Sequence, residues 1–203
     1  MLQTLTGQFI LPQKADELFQ TALKKKISPS PKFFLNYATF LFDSMAALDR
    51  GRALLPRALQ SLPSHTHVEI TSKFGQLEFR SPNGDSERGR TIFEGLLSSF
   101  PKRVDLWNIL LDLEIKAGDA DQIRRLFGRV LGISDLKRRS KKGATTITEP
   151  VQGKAKLKSK QARFFFKKWL AFEEALAASD GNDKMVEEVK ARAAEYVKAL
   201  QSE

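Results

Sequence analysis

The sequence predicts an all-α fold, a solenoid of stacked antiparallel helix pairs, and three observations carry that reading. An eight-residue frame recurs along the chain: FLNYATFL from Phe34, TSKFGQLE from Thr71, WNILLDLE from Trp107 and FKKWLAFE from Phe166. The frame starts lie 37, 36 and then 59 residues apart, so one interval carries about 23 extra residues. Each of the first three stretches is followed by a turn and a second apolar-periodic run, and two of those runs close on a proline. A single pair of such helices cannot bury its apolar stripe alone, so neighbouring pairs must stack.

Taken in order, residues 1–12, MLQTLTGQFILP, read as an irregular lead-in, too short for a full partner helix. ADELFQTALKKK from Ala15 reads as an incoming second helix, with Phe19 and Leu23 spaced as Phe93 and Leu97 are. Its missing partner marks the chain as the end of something longer. The first full pair joins the Phe34 frame to RALLPRALQSLP from Arg52, with Pro56 standing where a helix should run. The second joins the Thr71 frame to RTIFEGLLSSFP from Arg90, with Asp85 as its N-cap. The third joins the Trp107 frame to RRLFGRVLGIS from Arg124, where Asp119 and Gln122 have capping-box spacing. Pro63 and Pro101 end the second helices, because proline restricts the residue before it and supplies no N–H to continue the backbone bonding. Phe100, just before Pro101, looks buried. The solenoid thus covers 13–133, a basic flexible insertion 134–161, and a terminal helix pair 162–203 packs on the same solenoid.

Within the frame, position zero holds Phe34, Thr71, Trp107 and Phe166, and position three holds Tyr37, Phe74, Leu110 and Trp169. Position six holds Phe40, Leu77, Leu113 and Phe172; position seven holds Leu41, Glu78, Glu114 and Glu173. Positions zero, three and seven share one helical stripe with six beside them, so the rings are core rather than platforms for stacked bases. The three glutamates are a whole repeat apart, too far for paired-carboxylate catalysis, which needs about 5 to 9.5 Å. A carboxylate buried on this stripe needs a cation, and a second-helix arginine such as Arg90 or Arg124 is the expected partner. Of the three consecutive phenylalanines 164–166, not all can face inward, since successive helical residues turn by about 100°. Phe164 is the one left for an exposed position, a partner or a neighbouring repeat.

Chemistry of other kinds finds no support. The chain has no cysteine, which removes disulfides, thiolate zinc sites and a cysteine nucleophile. His65 and His67 stand two apart without nearby acids, short of a metal's ligand set. GKAKLKSK has one glycine and no phosphate-loop spacing. No apolar run approaches the roughly 18 to 20 residues that span a bilayer. The expectation is a protein with no enzymatic activity, cofactor, metal, small-molecule substrate or membrane partner.

Charge is where the sequence speaks of function. Between Ser134 and Lys168 stand twelve Lys or Arg and two acids; taken from totals of 34 and 24, this leaves 22 of each sign elsewhere. One window therefore holds the whole excess of +10. It is poor in aromatics before Phe164, lacks periodicity and contains Gly143, Pro150 and Gly153, the composition of a loop. The candidates for contact with RNA phosphates, without base readout, are Lys137, Arg138, Arg139, Lys141, Lys142, Lys154, Lys156, Lys158, Lys160, Arg163, Lys167 and Lys168. A solvated insertion that only aids solubility is the alternative, and KRRSKK also matches a nuclear-import patch.

The period, the aromatics at positions zero and three, the glutamate at seven and the closing proline together resemble the HAT (half-a-tetratricopeptide) repeat. KFGQLEF (73–79), FPKRVDLW (100–107), RFFFKKWLAFE (163–173) and VKARAAEYV (189–197) resemble the carboxyl-terminal repeats of the eukaryotic ribosomal-RNA-processing protein five family. Thr71, Leu41 and Pro56 depart from the repeat pattern. The resemblance covers roughly residues 13 to 200 and implies a right-handed solenoid of HAT/TPR-like helix pairs. It further implies a nucleolar (nuclear) scaffold without catalysis that supports small-subunit rRNA maturation. Its partners would be precursor ribosomal RNA, other ribosome-assembly proteins and the remainder of a larger parent chain. A HAT scaffold of splicing or mRNA 3′-end processing, and a purely protein-binding module without RNA contact, are the competing readings.

Overall fold

A computed structural model describes residues 3–25, 30–133, 157–181 and 183–201. Among the described residues the fold is all α, with no strand: α1 Gln3–Lys24, α2 Pro31–Asp43, α3 Leu48–Ser61, a 3₁₀ turn Ser64–Thr66, α4 His67–Arg80, α5 Ser86–Ser99, α6 Val104–Ala117, α7 Ala120–Leu131, α8 Ser159–Asp180 and α9 Lys184–Gln201. Consecutive helices pack in pairs, as in an α-solenoid. Two compact units, 1–96 and 97–203, divide the chain inside α5.

The first unit is organised around α2. Ser30 caps it, its hydroxyl accepting from the Phe33 N–H at 3.3 Å, and Pro31 occupies the first turn, where its missing N–H costs nothing. Phe34, Tyr37, Ala38 and Leu41 then fall on one face and pack with Leu54, Ala58 and Leu62 of the following pair arm and Ile70 and Phe74 of α4. From α1, Phe19 lays its ring on Tyr37, centroids 4.6 Å apart and planes 10° from parallel. The next pair closes through two glycines: a Cβ on Gly75 would stand 2.9 Å from the Phe93 ring, and one on Gly89 2.6 Å from the Phe79 ring. Each glycine makes room for a ring of the opposite helix.

Two prolines lie inside helices. Pro56 lies inside α3, which runs unbroken from Leu48 to Ser61. Its side chain is exposed while Leu54 and Ala58 on either side are buried, so packing holds the helix although the Arg52 carbonyl loses its donor. Pro12 likewise lies inside α1, which starts at Gln3, so residues 3–12 are helical rather than an irregular lead-in. Pro63 and Pro101 behave as expected, standing just beyond α3 and α5. Phe100 is 42% exposed, not buried.

The second unit packs α6 to α9. Trp107 of α6 is fully enclosed and donates its indole N–H to the Pro101 carbonyl at 3.0 Å, so the frame's first ring also fixes the preceding turn. Trp169 of α8, equally enclosed, stacks on Phe127 of α7 at 5.4 Å and 5°. Asp85 and Asp119 cap α5 and α7 through the Glu87 and Gln122 N–H groups, both at 3.0 Å. Only half of the capping box forms at α7, because the Gln122 side chain accepts from Arg125 instead of reaching back.

Position seven explains its glutamates. Glu78, 3% exposed, receives both ends of the Arg52 guanidinium at 2.8 and 2.9 Å, and the Asp85 N–H at 3.0 Å. Glu173 receives Arg124 in the same fork, both contacts at 2.8 Å, and the Trp169 indole at 3.0 Å. Each arginine stands fifth in a second helix and reaches the first helix of the next pair, a planar fork matched to a carboxylate. Arg124 therefore pairs as anticipated, and Arg52 does so unanticipated. The hydrogen bond to Glu173 outweighs burial and raises the Arg124 pKa above its ordinary value. Glu114 is buried as deeply, 1% exposed.

Where the first frame has Leu41 instead of glutamate, a different carboxylate serves. Asp16 of α1 accepts from the Tyr37 hydroxyl at 2.7 Å, from Arg50 at 2.7 and 2.8 Å, and from Gln20 at 2.8 Å. Burial pushes its pKa up, but the hydrogen bonds from Tyr37 and Arg50 together win and hold it below the usual carboxylate value.

Candidate nucleic-acid interface

The basic window meets the described structure at the start of α8. Lys137, Arg138, Arg139, Lys141, Lys142, Lys154 and Lys156 lie outside the described residues. Lys158 stands at the N-cap, its backbone N–H donating to the Gln161 side chain at 2.9 Å, and its own side chain is exposed. The helix starts at Ser159, so the last three residues assigned to the loop are already its first turn.

One face of α8 fixes the other. Ala162, Phe165, Phe166, Trp169 and Glu173 are all buried, and Phe166 also meets Tyr196 of α9 at 5.4 Å. The opposite stripe must then carry residues 160, 163, 164 and 167, which recur at intervals of three and four. All four are exposed: Lys160, Arg163, Phe164 and Lys167. None of the three cations makes an ion pair among the described residues, and the first turn of α8 contains no acid. A helix N-terminus already bears partial positive charge, so a basic first turn adds to it rather than offsetting it. The result is a concentration of positive charge at the start of α8.

Lys168 does not belong to this surface. Its ammonium bonds the Asn108 side chain and reaches Asp112 at 2.6 Å, both on α6, with 17% of the side chain exposed. A lysine so engaged joins α8 to α6, and phosphate would have to displace a carboxylate to reach it. Nothing near Lys168 in sequence announces this, because the acid that neutralises it lies 56 residues upstream. The spacing Asn108-x₃-Asp112 on α6 is a signal only once the two helices are known to meet.

Phe164 is 49% exposed. Its ring stands edge-on to Phe165, centroids 5.3 Å apart and planes at 74°, and Phe165 is fully buried. The Lys168 ammonium lies 6.0 Å from the centre of the Phe164 ring. An exposed ring is thereby held by two groups that are themselves fixed.

No family model matches the chain. Over 189 residues it is 46% identical to the rRNA biogenesis protein rrp5 of Schizosaccharomyces pombe, an alignment covering 93% of this chain and 9% of that protein. It is 36% identical over 190 residues to the RRP5 homolog of Homo sapiens, 94% of this chain and 9% of that one. The rRNA biogenesis protein RRP5 of Arabidopsis thaliana is 36% identical over 182 residues, 90% of this chain and 8% of that one. Helix pairs spaced by one repeating frame, and relatives of a single name in yeast, animal and plant, lead to one conclusion: the chain belongs to the RRP5 family, as a region spanning about 9% of the length of the relatives it matches.

Proposed function

We propose that this region is a non-catalytic scaffold in ribosome biogenesis, acting in the nucleolus within a larger precursor-rRNA-processing factor and supporting small-subunit rRNA maturation. Its helix pairs offer surface to other ribosome-assembly proteins, while the basic start of α8 and the lysines and arginines before it contact precursor ribosomal RNA. The observation that carries the reading is the exposed stripe Lys160, Arg163 and Lys167, which forms no ion pair among the described residues. Relatives named for rRNA biogenesis supply the context.

The mechanism is electrostatic. Each cation that meets a phosphate releases condensed counterions, so the contact strengthens as salt falls and reads backbone rather than sequence. Crosslinking within a native precursor particle tests it. RNA adducts on residues 137–167 are the expected outcome; adducts only to protein along this span would replace the RNA role with a purely protein-binding one.

A further inference from the structure

Resting on that reading, we propose that the exposed stripe of α8 is a binding site for single-stranded RNA, in which Phe164 stacks on one unpaired base while Lys160, Arg163 and Lys167 hold the flanking phosphates. A backbone-only contact would need the charges and nothing else. Here a half-exposed aromatic ring lies between them, one position after Arg163, four after Lys160 and three before Lys167. Intervals of three and four put Phe164 beside Lys160 and Lys167, and Arg163 beside the same two lysines.

The ring is positioned before any ligand arrives. The Phe164 ring meets the buried Phe165 ring at 74°, and the Lys168 ammonium, tied to Asn108 and Asp112, lies over it 6.0 Å from its centre, so a base stacks on the face away from Lys168. An aromatic held in this way loses little side-chain freedom on stacking, which favours a bound base. From Lys160 to Lys167 the helix rises about 10 Å, the length of roughly three nucleotides at stacked spacing. One base on the ring with a phosphate on either side fits that span. A duplex offers its phosphates to the lysines but keeps its base faces inside the stack, so it cannot use the ring. Stacking on an aromatic also tolerates any base.

The test measures binding of fluorescein-labelled 12-nucleotide oligoadenylate, and of a hairpin duplex of equal charge, to the whole 203-residue chain. Because Phe164 is exposed, Phe164→Ala should melt with the wild type, and Phe164→Trp serves as the ring-retaining control. The expected result is a loss of about tenfold in affinity for the single strand in Phe164→Ala, restored in Phe164→Trp, with duplex binding and salt slope unchanged. Equal losses on both RNAs, or none on either, overturn the inference. So does a loss confined to binding of an assembly protein, which would make the ring a protein contact. A Lys160→Ala/Arg163→Ala/Lys167→Ala variant separates the two levels. If it lowers the salt slope while Phe164→Ala is silent, the electrostatic reading stands and the stacking site falls. If it too is silent, both fall.

Discussion

Single residues decide how each helix pair is locked to the next. Glu173 sits beneath the surface with a guanidinium fork on one side and an indole N–H on the other, so every lone pair that matters has a donor. Removing Arg124 leaves a buried carboxylate without its cation, and Arg124→Ala should cost about 3 to 5 kcal/mol by denaturant titration. Glu173→Gln should cost less than Glu173→Leu, since the amide oxygen still accepts from Trp169 whereas leucine strands that N–H. Equal losses would mean that the indole bond contributes nothing. Asp16 adds a pH dependence of definite sign. Its folded pKa lies below the unfolded value of about 3.9, so its network stabilises fully above that pH and the gain disappears as pH falls through the folded value. Asp16→Asn should therefore be less stable than wild type at pH 7, with the gap closing below about pH 4. A gap that stays constant with pH would show that the side chain acts by hydrogen bonding alone.

At the scale of helices, the frame was legible because its period and its burial have the same cause. Phe34, Tyr37, Trp107, Leu110, Phe166 and Trp169 recur at three-residue intervals on first helices, and every one is buried. The milder positions show as much: Phe40, Leu77 and Phe172, one step to the side, are only partly buried, while Leu113 is 4% exposed. What could not be read was whatever packing overrides or distance hides. Pro12 and Pro56 are local stop signals that tertiary contacts outvote. Tyr37 and Arg50, which bind Asp16, lie 21 and 34 residues from it, and Arg52, which binds Glu78, lies 26 away, so no local pattern announces them. Pro56 leads to an unusual prediction. Restoring an N–H to the middle of α3 gives the Arg52 carbonyl its donor, and Pro56→Ala should raise the stability of the chain by up to about 3 kcal/mol. A melting temperature that falls instead would mean that the neighbouring pairs require the bend a proline imposes.

Over the whole molecule, charge is divided unevenly between holding the fold and facing outward. Outside 134–168 the 22 cations and 22 acids balance, and several are spent on one another in buried forks. Inside that window even a helical lysine, Lys168, is spent internally, leaving Lys160, Arg163 and Lys167 as the described cations that face solvent on one stripe of α8. On the proposed function this stripe meets RNA phosphate. The most direct measurement of that contact is the dependence of single-stranded RNA affinity on salt, for the wild type and for Lys160→Ala/Arg163→Ala/Lys167→Ala. With about 0.7 units of log–log slope for each phosphate neutralised, the variant should show a slope shallower by about 2 and weaker binding at low salt, with its melting temperature unchanged. Parallel lines for the two proteins would contradict the account.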